Sequence, residues 1–118
     1  MKKINLSERF RQEICTFEIA KRLHLAGMTC ANTFFAYDEH GEITDAGWLE
    51  SVAGMKLYPC VNFAMACAMM EDTDIDFNNV GFYQDGDLYK ISVKDQVWEN
   101  ANIVDLLMEL WIKYKKKQ

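Results

Sequence analysis

Residues 80–114 constrain the fold more than any other stretch. Gly81-Phe82-Tyr83-Gln84 and Asp87-Leu88-Tyr89-Lys90-Ile91-Ser92-Val93 read as two strands about Asp85-Gly86. Asp-Gly between two such runs is a strong hairpin signal, because a tight turn needs positive φ. With Asp85-Gly86 as the loop, Gln84 pairs with Asp87, Tyr83 with Leu88 and Phe82 with Tyr89. Paired residues share a face. Val80, Phe82, Tyr89, Ile91 and Val93 then form the core side, and Gly81, Tyr83, Leu88, Lys90 and Ser92 the outer side. Gln96-Val97-Trp98-Glu99 reads as a third strand. Asn102 followed by Asp105 resembles a capping box with Asp in place of Glu, opening a helix. That helix carries Ile103, Leu106, Leu107, Leu110, Trp111 and Tyr114 on its apolar face. Lys113, Lys115, Lys116 and Lys117 close it, where cations suit the negative end of the helix dipole. A hairpin and an amphipathic helix in sequence predict an α+β fold with an antiparallel sheet.

The rest of the chain is less regular. Thr16 is a candidate N-cap for a helix with Phe17, Ile19, Ala20, Leu23 and Ala26 on one stripe and Gly27 as its stop. Residues 7–15 either extend this helix or lead into it. Thr33-Phe34-Phe35-Ala36-Tyr37-Asp38 reads as a strand with aromatics on both faces, followed by a turn at Glu39-His40-Gly41-Glu42. Thr44 or Asp45 is expected to cap a short helix through Trp48 that ends near Gly54. Pro59 suits the first turn of another helix, carrying Val61, Phe63, Ala64, Met65, Cys67, Ala68 and Met69. That helix is apolar nearly all round, which predicts burial on more than one side.

Composition narrows the functions open to such a fold. At 118 residues the chain is expected to be one domain, residues 1–118, able to bury an independent core. A net charge of −5 argues against a protein that coats phosphate backbones, so nucleic acid is not an expected partner. No apolar run approaches the ~20 residues of a membrane span, and Met1-Lys2-Lys3 meets no apolar core of a signal peptide. A cytoplasmic protein, with no membrane partner, is the expectation. The cysteines at 15, 30, 60 and 67 form no C-x-x-C pair, so they are expected to be reduced and buried.

No segment carries a recognisable chemical motif. Asp74, Asp76 and Asn78 alternate as calcium ligands do, with Asp85 at the twelfth position. But Asn79 stands where that loop needs glycine, and a hairpin follows where it needs a helix. The expected reading is a solvated acidic loop, without metal. A Cys-His nucleophile would have to be assembled in space from His24 or His40 and one of the cysteines. No carboxylate pair stands out, and the six glycines form no phosphate loop. Met65, Met69 and Met70, with Met55 nearby, read as core, with an adaptable binding surface as the alternative. Tyr83 and Leu88 beside Lys90 could mark an interface or a ligand platform, joined by Trp98 and Tyr37 if their strands pair in register. Another helix could equally cover that face.

Two stretches carry a resemblance. One runs from Ile14-Cys15-Thr16-Phe17-Glu18-Ile19-Ala20-Lys21 through Leu25-Ala26-Gly27 to Phe34-Phe35-Ala36-Tyr37. The other runs from Trp98-Glu99-Asn100-Ala101-Asn102 to Leu110-Trp111. Together they resemble a group of small uncharacterised proteins of phages, prophages and conjugative elements, with a helix–strand start and a strand–helix end. Residues 39–76 do not match closely. The group has no known activity, so the resemblance implies a setting only: an accessory gene on a mobile element in a bacterial host.

The expected fold is therefore α+β, with a small mainly antiparallel sheet of three or four strands and the N- and C-terminal helices packed on one face. The expected function is non-enzymatic, by stoichiometric binding of a host defence or regulatory protein or a small signalling ligand. Tyr83, Leu88, Lys90 and Trp48 are the candidate contact residues, and no cofactor is expected. A homodimer is one option. A self-associating scaffold module and a small Cys-His or carboxylate-pair enzyme are the alternatives.

Overall fold

Residues 13–30, 33–44, 56–76, 78 and 80–116 are described by the computed structural model. Three helices and six strands follow along them: α1 (Phe17–Leu25), β1 (Phe35–Tyr37), β2 (Ile43–Thr44), β3 (Tyr58–Cys60), α2 (Phe63–Met70), β4 (Gly81–Asp85), β5 (Leu88–Val93), β6 (Gln96–Asn100) and α3 (Ile103–Tyr114). The α+β class holds. The strands divide between two antiparallel sheets of three strands each, ordered β2-β1-β3 and β4-β5-β6, where one sheet was expected.

α1 starts and stops where its sequence directs. The Thr16 side chain accepts from the Ile19 N–H, and Glu18 sits in the positive first turn. At the other end the Gly27 N–H donates to His24 O and the Met28 N–H to Leu23 O, both at 3.0 Å. That double closure needs a left-handed residue, and Gly27 supplies it at φ +98°. Ile19, Ala20 and Leu23 are buried. Of residues 7–15, which could extend the helix or lead into it, residues 13–15 lead in, with Ile14 bridged to Asn62 and Thr16 extended as the cap, and residues 7–12 lie outside the described residues.

The first sheet departs most from expectation. Thr44 lies in β2, opposite Ala36. The expected helix through Trp48 to Gly54 lies outside the described residues. Pro59 sits in β3 opposite Ala36, not in the first turn of α2. β3 pairs only with β1 among the described residues, and an edge strand tolerates a residue without an N–H. Asn62, not Pro59, begins α2: its side chain accepts from the Met65 N–H at 2.8 Å. The turn at Glu39–Glu42 forms as expected. Gly41 has φ +80°, and a Cβ there would come within 2.9 Å of the Phe17 ring.

α2 is not buried all round. Ala66 and Met70 face inward, while Phe63, Ala64, Cys67 and Ala68 are exposed. Met65 and Met69 pack against the first core, so the methionines act as gap-fillers.

α3 lies between two cores. Val104 and Met108 pack with α1 and the first sheet, against Ile14, Leu23, Tyr37 and Val61. Leu106 and Leu110 pack with Ile91 and Val93 of the second sheet and with Met70 and Ile75. The same helix is tied to both ends of α1. The Asp105 carboxylate accepts from the Thr16 N–H and the Thr16 hydroxyl, each at 2.7 Å. Lys115 Nζ donates to Ala26 O at 2.6 Å. A carboxylate thus meets the positive end of α1 and an ammonium its negative end. The expected capping box is corrected here. Asn102 caps α3, accepting from Val104 and Asp105 N–H groups, but Asp105 reaches across to α1.

Candidate functional site

The second sheet places three of the four candidate contact residues together. A two-residue turn joins β4 to β5, but its central residues are Gly86 and Asp87. Only Gly86 is left-handed, at φ +61°, so this is a type II′ turn instead of the expected Asp85-Gly86 type I′ turn. Moving the loop by one residue shifts each partner by two. Phe82 therefore faces Ile91 and Tyr83 faces Lys90. A shift of two keeps every residue on its expected face.

The outer face is a small lattice. Tyr83, Lys90 and Glu99 form one row across the three strands, and Gly81, Ser92 and Val97 the next. Asp85 and Leu88 close the hairpin end. Tyr83 is 46% exposed, Leu88 36% and Val97 57%, so no described helix covers this face. Lys90 is not a free cation. Its Nζ lies 3.2 Å from Asp85 Oδ2 and 3.5 Å from Glu99 Oε2. The hydrogen bond to Asp85 raises its pKa above the usual lysine value. Sequence alone missed both partners, because finding them requires the register.

Trp98 and Tyr37 do not join this surface. Trp98 lies opposite Ile91 on the inner face, edge-on to Tyr114 at 6.3 Å. Its indole N–H is buried with no partner among the described residues. Tyr37 belongs to the first sheet and is buried, its hydroxyl donating to Cys15 O at 2.5 Å. Trp48 lies outside the described residues.

β4 is unusual in being exposed along all five residues. Phe82 was expected in the core. It is 58% exposed and stacks on Tyr89, with centroids 6.4 Å apart. The inner face of the sheet is covered by α3 under β5 and β6, and β4 overhangs it. No described strand pairs with the outer side of β4. In an antiparallel hairpin the closing pair exchanges both backbone bonds, and alternate residues point theirs away. Asp85, Tyr83 and Gly81 therefore bond β5, while Phe82 and Gln84 turn N–H and C=O to the open edge.

A second cluster of chemically capable groups is buried. The Cys15 thiol donates to Pro59 O at 3.6 Å and accepts from the Val61 N–H at 3.3 Å. The adjoining Cys60 thiol, together with burial, pushes the Cys15 thiol well above the ordinary cysteine range. Burial also raises the Tyr37 hydroxyl, and burial raises Asp105 against the two bonds from Thr16. A thiol held protonated is a poor nucleophile. His24 lies edge-on to Tyr58 and His40 beside Glu39, and among the described residues neither is hydrogen-bonded to a cysteine. The cluster binds α1, β3 and α3 together. Cys67, expected to be buried, is exposed on α2 because no described element covers that side. No group of three or more His, Cys, Asp or Glu among the described residues could hold a metal ion, and Asp76 closes a local turn onto the Asn78 N–H. No described helix is long and apolar enough to cross a membrane.

No family model, no curated protein and no solved structure matches the chain.

Proposed function

We propose that the protein acts by binding, and that β4 with the outer face beside it receives an extended segment of a protein partner. The observation that carries this reading is the state of β4: exposed on both faces, with no described strand along its outer edge. Proteins usually blunt such an edge with lysine, proline or a bulge. This strand reads Gly-Phe-Tyr-Gln-Asp and has none of these. An added strand would gain backbone bonds from Phe82 and Gln84, and side-chain contacts from Phe82 on one face and Tyr83 on the other. Lys90, neutralised by Asp85 and Glu99, adds little net charge. In the mobile-element setting that the resemblance implies, the partner is a host protein.

The test is capture from host lysate by three forms of the chain. Tyr83→Ser with Leu88→Ser removes the outer side chains. Gln84→Pro removes an edge N–H that β5 does not use. The reading expects a specific partner to be lost with both variants while their urea midpoints stay near the parent's. Capture that survives both variants sinks it. Light scattering on the parent assigns the edge to a second copy if a dimer forms and Gln84→Pro dissolves it.

A further inference from the structure

A separate surface, at the far end of α3, gathers positive charge in an acidic protein. Lys94, Lys113, Lys115 and Lys116 line a hollow of about 510 Å³ with Tyr114 and Asp74. A broader hollow of about 980 Å³ shares three of these lysines and has Trp111 and Asp72 in its wall. The chain as a whole carries net charge −5 with 13 lysines and arginines, so this clustering runs against the general charge.

Much of it has no internal use. Lys113 and Lys116 enter no ion pair with a described residue. Lys115 is held over the Trp111 ring at 5.1 Å and by Ala26 O, and Lys94 lies over the Tyr114 ring at 5.3 Å. The helix dipole accounts for lysines on the last turn of α3. But carbonyls at that end already have partners: Trp111 O accepts from the Lys115 N–H, and Tyr114 O from the Asp74 N–H. The dipole does not account for Lys94, which arrives from the β5–β6 turn. Lys94 and Asp95 are the two left-handed non-glycine residues described, at φ +46° and +68°. Asn or Gly would hold that type I′ turn with less strain. Lys94 is thus held at a backbone cost on the wall of the hollow that Lys113, Lys115 and Lys116 also line. The site is also firmly based. Thr73 bridges Lys115, and the Lys116 N–H donates to Asp72 O at 2.8 Å, which pins the chain ends that carry the lysines.

We propose that this hollow binds a compact phosphate-bearing molecule of nucleotide size. Lysine is a point-charge phosphate ligand, and the volume falls in the small-molecule range. The surroundings disfavour a long polyanion. Lys94 also borders a neighbouring hollow lined by Asp74, Asp76 and Asp95, so a phosphate backbone running past the lysines would meet carboxylates.

The test uses the full chain at low ionic strength, with sodium tripolyphosphate and ATP as probes and Trp fluorescence and melting temperature as readouts. Both probes should raise the melting temperature by several degrees, beyond sodium chloride of equal ionic strength. Lys94→Asn should keep or raise the melting temperature without ligand, since asparagine suits the turn. Together with Lys113→Gln it should weaken binding about tenfold or more. The proposal is overturned by a shift that sodium chloride reproduces, by affinity unchanged in the double variant, or by a single-stranded DNA of about 20 nucleotides outcompeting both probes.

Discussion

The two sheets have the same strand number and the same antiparallel pairing, and they sit in opposite environments. β1, β2 and β3 span three, two and three residues, all buried except the half-buried Phe35 and Tyr58. β4, β5 and β6 span five, six and five residues, and burial is confined to Ile91 and Val93. In the first sheet, depth holds short strands in place: Tyr37, Cys15 and Asp105 knit them to two helices. In the second, regular pairing and two tight turns do it, leaving one face exposed and no described strand beyond β4 or β6. A buried sheet is built to be covered, whereas a half-covered one retains surface for contact.

The sharpest way to break this contrast is to cut equally in both places. Ile43→Ala, in a strand of two residues and at 2% exposure, should cost about 3 kcal/mol by urea denaturation. A cost under ~1 kcal/mol would mean the first sheet is not the rigid one. Asp105→Asn should cost about 1–2 kcal/mol at neutral pH, because one of the Thr16 donors loses its acceptor. Its pH dependence has a definite sign. Burial raises the Asp105 pKa above 3.8, so the folded chain takes up that proton more readily than the unfolded one. The parent therefore gains stability from this group as pH falls through the raised value towards 3.8, and the variant cannot. The deficit of Asp105→Asn should widen on acidification. A deficit that shrinks would show the carboxylate favoured over the acid.

In the second sheet the costs are conformational. Gly86→Val should cost about 1–2 kcal/mol through φ +61° alone, since a Cβ there meets nothing within 4 Å. Phe82→Ala should cost less than ~0.5 kcal/mol, as most of the ring is already in water. A larger loss would place Phe82 in the core after all. The thiols give a comparison without a stability change. Cys67 should label rapidly in the folded protein, and Cys15 and Cys60 only on unfolding. Fast labelling of Cys15 would show that the first sheet opens.

The same contrast explains what could be read in advance. Residues 80–114 were legible because one face of the sheet meets solvent and the other meets α3, which leaves a period of two in the sequence. The caps at Thr16, Gly27 and Asn102 were legible because each fits a local backbone need. The first sheet was not. Ile43-Thr44 is too short to show a period, and Tyr58-Pro59-Cys60 is buried without alternation. Pro59 gave a misleading helix signal, since only pairing shows β3 to be an edge. The face of Tyr83 and Leu88 survived an error in the turn because the error moved the register by two. The partners of Lys90 did not follow, and neither did the placing of Lys94 with Lys113, Lys115 and Lys116 at the end of α3, about twenty residues on in sequence.

The paired ties between α1 and α3 have a consequence for how the chain is made. Thr16 to Asp105 and Ala26 to Lys115 are each 89 residues apart. Contacts so remote close late, because the loop between them must be ordered first. On a ribosome, α1 emerges long before the helix that caps it, with Ile19 and Leu23 waiting for Val104 and Met108. During that interval the part of the α1 stripe that faces α3 stays open to nascent-chain chaperones, while the part that faces β3 has its partners already.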